Sequence, residues 1–302
     1  MQGRASPRPF ELRALGEFGL EPAAEVLTRA FADYFFKMPF TGAALMRMVE
    51  TDSVDVEASR VVLEEGVGVA AALIARRGQT SRLASMAVVK EARTKGVGRA
   101  IMDTLIAEAR DRGDHRMVLE VIEQNEPALR LYERMGFRKV RRLVGYERAG
   151  TSDPAQDQPI DEVSLGEAAA IIFRDGLPDL PWQISGETLR HLAPPCRAFR
   201  LEGAWIVLAS LHASPVGIRG LVAERGPGRT EQCAALLRAL MARHPGKQWR
   251  IPALWPEELS GIFVQAGFAR SAISQSQMEL GLDSSATPLD ASLRSDGWGF
   301  AP

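Results

Sequence analysis

The sequence predicts an α/β (α+β) chain arranged as two tandem domains, each a mixed sheet flanked by helices. Three observations carry that expectation. Strand-like and helical periodicities alternate along the first half. A Gly/Ser/Asp/Pro-rich stretch without apolar periodicity, residues 149–159, interrupts the chain. Short motifs recur on both sides of it at identical spacing.

In chain order, FELRAL reads as a strand, and residues 21–36 as a helix entering an aromatic loop. ASRVVLEEGVGVAAALIARRG reads as a hairpin with Glu65-Gly66 in its turn. RLASMAVV is apolar and strand-like. GRAIMDTLIAEARDRG follows with helical spacing through Ile101, Leu105, Ile106 and Ala109. MVLEVI predicts a buried strand, and Asn125 to Met135 a second helix. In that helix Asn125 suits an N-cap, Pro127 the first turn, and Gly136 the stop. Arg138, Lys139, Arg141 and Arg142 then alternate on what reads as a solvated edge strand.

The recurring motifs are Phe31-x-Asp33 with Pro39-Phe40 against Phe173-x-Asp175 with Pro181-Trp182. Near the block ends, Leu131-Tyr132-x-x-x-Gly136-Phe137 matches Ile262-Phe263-x-x-x-Gly267-Phe268. A tandem duplication follows: residues 1–148, a linker 149–159, a second copy 160–283 and a tail 284–302.

Composition narrows the function classes. The 302 residues are 46% hydrophobic and 25% charged, with net charge −1, so no global charge points to nucleic acid or an anionic membrane. No apolar run approaches the ~20 residues of a membrane span, and the N-terminus has no apolar signal region, so a cytoplasmic location is the default. The two cysteines, Cys196 and Cys233, lack CxxC spacing, and the four histidines form no ligand cluster, so neither disulfide nor metal is expected.

Chemistry concentrates at Met86-Ala87-Val88-Val89 followed by Arg93-Thr94-Lys95-Gly96-Val97-Gly98-Arg99. A strand ends, a basic loop turns, and a helix opens at about Gly98. Exposed N–H groups and the positive dipole end at such a helix mouth suit a phosphate, and glycine allows close approach. The alternative is a glycine turn that only joins strand to helix. The Rossmann pattern is excluded by Ile101, and the P-loop lacks its Gly-Lys-Ser/Thr.

Arg93-x-x-Gly96-x-Gly98 between strand and helix resembles motif A of the GNAT superfamily of N-acetyltransferases. Leu119-Glu120-Val121, Asn125-Glu-Pro-Ala128, Leu131-Tyr132 and Gly136-Phe137 resemble its motif B. The resemblance implies two GNAT-like domains with mixed, mostly antiparallel sheets, and acetyl-CoA as co-substrate. It implies that the backbone of Met86, Ala87 and Val88 binds the pantetheine arm. The amides of Arg93, Thr94, Lys95, Gly96, Val97, Gly98 and Arg99 would bind the pyrophosphate. It assigns Asn125 to the cofactor, and Tyr132 to protonating the departing thiolate as general acid. Glu120 resembles the base of the ribosomal-protein alanine acetyltransferases, with a structural carboxylate or a water relay as alternatives. Tyr34, Phe35 and Phe40 would wall the acceptor pocket for a small-molecule or peptide amine.

The second half lacks these groups. Aligned on Gly136-Phe137 and Gly267-Phe268, Tyr132 falls opposite Phe263, Asn125 opposite Pro256, and Glu120 opposite Ile251. Its loop Glu224–Thr230 keeps Gly-x-Gly, but with the helix expected to open later, near Glu231. A degenerate, non-catalytic copy is expected. A coenzyme-binding sensor or scaffold without turnover is the rival expectation.

Overall fold

The computed structural model describes residues 10–35, 39–150 and 159–282. Most of the expected linker and all of the expected tail lie outside them. Contacts divide the chain into two compact units. Among described residues, the first takes those up to Glu120, Glu126–Arg138, and those from Met278 on; the second takes Val121–Asn125 and Lys139–Gln277.

The elements run β1 (Glu11–Ala14), α1 (Leu15–Phe18), α2 (Leu20–Ala30), α3 (Gly42–Asp52), β2 (Val54–Glu64), β3 (Val67–Arg77), β4 (Thr80–Val88), α4 (Val97–Asp111), β5 (Arg116–Ile122) and α5 (Glu126–Arg134). There follow β6 (Arg138–Arg148), β7 (Asp161–Val163), α6 (Leu165–Asp175), α7 (Gly186–Leu189), β8 (Arg197–Leu201), β9 (Ala204–Leu208), β10 (Val216–Ala223), α8 (Arg229–Arg243), β11 (Trp249–Pro256), α9 (Ser260–Gln265) and β12 (Ala269–Gly281).

In the first unit the sheet order is β1-β2-β3-β4-β5, with the end of β12 beside β5. Pairing is antiparallel from β1 to β4, and α4 carries the chain over to β5, which is parallel to β4. The β2–β3 hairpin turns at Glu65 and Gly66, both at positive φ, as a two-residue hairpin requires. Ala70 to Ala75 of β3 are fully buried, and α4 buries Ile101, Met102, Leu105, Ile106 and Ala109. Buried Asp114 accepts from Ser81 at 2.5 Å and Arg112 at 3.2 Å, tying the α4–β5 turn to the start of β4.

In the second unit the order is β7-β8-β9-β10-β11-β6, followed by the main part of β12. Here α8 carries the chain from β10 to parallel β11. One core joins Val144 and Tyr146 of β6 to Trp249, Trp255 and Phe263.

Each unit is thus a mixed, mostly antiparallel sheet with helices, as expected. The expected edge position of the basic strand is corrected. β6 lies between β11 and β12, because its Leu143, Val144 and Tyr146 are core residues. Arg138, Lys139 and Arg142 are exposed, as expected of the basic run, but the Arg141 side chain is buried, and Arg141 and Arg142 are both paired. Arg142 meets Glu123 at 2.9 Å and Glu257 at 3.4 Å, and Arg141 meets Glu258 at 3.6 Å.

Candidate active site

The candidate site of the first unit starts where β4 and β5 part. Their parallel register runs from Thr80↔Arg116 to Leu83↔Leu119 and stops, although β4 continues to Val88. A bulge at the same level, where the β3–β4 register shifts between Leu73 and Ile74, turns the strand. Val89 N–H bonds Val69 O at 2.9 Å. By the two-residue alternation of an antiparallel ladder, the N–H and C=O of Val88, and likewise of Met86, point away from β3. Those of Ala87 turn towards it. Met86 and Val88 therefore present main-chain groups on the side where β5 has separated.

The loop after β4 delivers the chain to α4. Thr94 and Gly96 both take positive φ, 66° and 84°, and Gly96 caps α4 without any side-chain hydrogen bond. No acidic residue occupies the first turn, so the first N–H groups of α4 face no built-in anion. A Cβ at Gly98 would stand 3.5 Å from Leu131 and 4.0 Å from Val88. This contact brings the end of β4, the mouth of α4 and the body of α5 together.

The basic side chains of the loop already have partners. Arg93 pairs with Asp33, Lys95 with Glu64, and Arg99 with Asp103.

Tyr132, one residue beyond Leu131, is buried and stacks edge-on against Phe137 at 5.8 Å. Burial, reinforced by the nearby charge that Tyr34 would carry, pushes its phenol well above the usual tyrosine range. Such a phenol stays protonated near neutral pH and is a weaker acid than free tyrosine. α5 then ends in a Schellman closure, with Phe137 N–H on Tyr132 O and Gly136 N–H on Glu133 O at φ 93°.

Tyr34 and Phe40 gather around Phe31 of the repeated Phe-x-Asp motif, and Phe35 joins them through Tyr34. Phe31 meets Tyr34 at 4.9 Å and Phe40 at 5.6 Å, and Tyr34 meets Phe35 at 5.1 Å. Phe35 remains 46% exposed. Thr28 holds Phe40 in place by accepting from its N–H at 2.8 Å. Phe31 is marked in the sequence by the repeated Phe-x-Asp motif and not as a pocket residue, whereas Thr28 carries no signal of its own.

Glu120 is held by Arg82, whose Nε and one terminal nitrogen donate to Oε2 at 2.9 and 2.6 Å. Both side chains are buried, at the level where β4 and β5 part. The structural carboxylate weighed in the sequence reading thus has a partner, Arg82. Asn125 groups with the second unit. Its N–H closes a turn onto Ile122 O at 2.9 Å, directly before α5.

The second unit repeats parts of this arrangement. Gly228 caps α8 in the left-handed conformation, φ 78°, with Arg225 three residues ahead. The helix opens at Arg229, earlier than the sequence reading placed it. The Schellman closure recurs as Phe268 N–H on Phe263 O, with Gly267 at φ 79°. But Thr230 stands where α4 has Gly98, and Glu231 sits in the first turn. Phe263, fully buried, carries no hydroxyl. Cys233 on α8 is fully buried, and burial pushes its thiol up to about 12.

Residues 28–137 match the model of the Acetyltransferase (GNAT) family. Over 77 residues the chain is 38% identical to N-alpha-acetyltransferase 30 of Schizosaccharomyces pombe, covering 25% of this chain and 51% of that one. It is 32% identical to an N-alpha-acetyltransferase of Saccharolobus solfataricus, covering 25% and 46%. The chain thus spans about half the length of the curated relatives it matches. A solved structure described as a tandem GNAT protein from the clavulanic acid biosynthesis pathway shares the fold. Its TM-score is 0.61 at 14% identity, over 92% of this chain and all of that one.

Proposed function

From the premise that residues 28–137 form a GNAT acetyltransferase domain, we propose that this chain moves an acetyl group from acetyl-CoA to a primary amine by direct attack. The observation that carries the reading is one cluster. β4 loses its partner past Leu83, beside a glycine-capped helix mouth that Leu131 of α5 touches.

In this reading the main-chain groups of Met86 hold the pantetheine arm as an added strand, with the Val88 N–H at its thioester end, since Val88 O accepts from Arg93. Ala87 supplies the link between them. The amides from Arg93 to Arg99 take the pyrophosphate, as a helix N-terminus favours. Val88 N–H stabilises the oxyanion that forms when the amine attacks the thioester carbonyl. Tyr132, kept neutral by burial, gives its proton to the departing thiolate. Glu120, oriented by Arg82, takes the amine proton through water. Tyr34, Phe35 and Phe40 wall the acceptor. The names of the curated relatives suggest an α-amine acceptor, whose ordinary pKa of about 7.7–8.0 leaves little proton to remove.

The second unit is read as a copy without coenzyme, for three reasons. Thr230 narrows the approach that Gly98 leaves open, Glu231 places a negative charge in the first turn, and Phe263 cannot donate a proton. The domain limits read from the sequence, 1–148 and 160–283, are retained for the two copies as evolutionary segments.

The test compares wild type with Tyr132→Phe by coenzyme A release over a panel of amines and N-terminal peptides. Turnover in the wild type and a kcat lowered about 10²–10⁴-fold in the variant, at unchanged acetyl-CoA affinity, is the expected result. Tight acetyl-CoA binding with no turnover on any amine would replace this reading with a sensor.

A further inference from the structure

The arginine that opens the coenzyme loop is tied to the acceptor side. Arg93 donates from Nε to Val88 O at 3.0 Å, at the end of β4. One terminal nitrogen donates to Ala30 O at 2.9 Å, at the end of α2. Both terminal nitrogens grip Asp33, at 2.6 and 2.7 Å, in a two-pronged fork. Asp33 sits inside the turn that presents Phe31 and Tyr34, and Tyr34 N–H bonds Phe31 O at 3.1 Å. One guanidinium therefore touches the coenzyme strand, the end of α2 and the aromatic turn.

We propose that Arg93 and Asp33 form a latch that couples coenzyme occupancy at the mouth of α4 to the placement of the Phe31–Phe35 turn. Arg93 is then a positioning residue for the acceptor amine. This rests on the coenzyme reading above. The main chain of Arg93 begins the loop whose amides would close on the diphosphate, and Thr94 beside it holds positive φ. Any turn of those amides towards an anion moves the root of the guanidinium, and with it Asp33.

Exposure separates this connection from a purely structural one. The Arg93 and Asp33 side chains are 41% and 49% exposed, and ion pairs so placed add little to folding. In the second unit the equivalent connection is made differently. Exposed Arg225 reaches Asp175 at 3.5 Å and donates to Arg174 O at 2.8 Å, while the strand end and helix end are joined by Arg229, which is buried. Arg229 donates to Ala223 O at 3.0 Å and to Asp175 O. The strand-to-helix link is made by a buried arginine in the unit without a coenzyme reading, and by the exposed Arg93 in the unit with one.

Coupling between two sites is reciprocal, so it is readable from the coenzyme side alone. The experiment is amide hydrogen exchange of the full chain with and without acetyl-CoA. It uses wild type, Asp33→Asn, Asp33→Glu and Arg93→Lys. In wild type, exchange should slow about fivefold or more both at residues 93–99 and at 31–34. Asp33→Asn, which loses the fork, should keep the first effect and lose the second, and Arg93→Lys should lose the second. Asp33→Glu should restore both. The latch is overturned if 31–34 slows equally in Asp33→Asn, or if wild type slows at 93–99 alone. Absence of any slowing at 93–99 in wild type removes the coenzyme reading, and the latch with it.

Discussion

At the residue scale, the buried pair of Arg82 and Glu120 makes the sharpest stability prediction. Removing one partner leaves a buried charge without compensation, which costs more than losing the pair together. Arg82→Met should therefore lower unfolding free energy by about 3–5 kcal/mol. Arg82→Met combined with Glu120→Gln should recover part of that loss in urea denaturation. Equal loss in single and double variants would mean that the two side chains are not coupled. Asp33 makes a milder prediction. The hydrogen bonds from Arg93 hold its carboxyl below the usual range. A depressed folded value stabilises above the unfolded pKa of about 3.9 and is lost as pH falls through the folded value. The latch should therefore be constant in exchange experiments from neutral pH down to about pH 5, and weaken only in stronger acid. Tyr132 was legible as a candidate from its place in the motif. Its relation to Tyr34 was not, because it depends on how segments far apart in the sequence pack.

At the element scale, glycine placement was the readable signal. Gly96 and Gly228 each cap a 15-residue helix in the left-handed conformation, and the spacing of Gly136 and Gly267 reflects one repeated helix stop. The repeated Gly-Phe motif is thus explained by closure geometry, and its recurrence speaks to fold rather than chemistry. The start of α8 was misread because Glu231-Gln-Cys-Ala looks like a helix opening, whereas Gly228 in the left-handed region sets the true start at Arg229. A Cβ at Gly96 or Gly228 would meet nothing within 4 Å, so Gly→Ala costs only backbone strain at either site. Both variants should lose about 1 kcal/mol in urea unfolding. Only Gly96→Ala should also weaken acetyl-CoA binding by calorimetric titration. Equal weakening by both would place coenzyme at the second unit as well.

At the scale of the whole molecule, the alternation of strands and helices was legible because each element carries its own periodicity. The membership of strands in units was not. Residues 139–148 follow the first motif pair in sequence, yet they group with the second unit, while the end of β12 groups with the first. Such assignments depend on long-range pairing and on which apolar faces meet, and local composition does not encode either. The basic run on β6 shows the same limit: its charges suggested an edge, but Leu143, Val144 and Tyr146 just after it are core and the strand is internal. No described helix is long and apolar enough to cross a membrane.

The central claim is that one coenzyme sits with its diphosphate on the amides opening α4. A crystal structure with acetyl-CoA tests it directly. The diphosphate oxygens should lie within hydrogen-bond distance of amides between Arg93 and Arg99, with the sulfur beside the Tyr132 phenol. Diphosphate found on the loop before α8, or a sulfur remote from Tyr132, would contradict it.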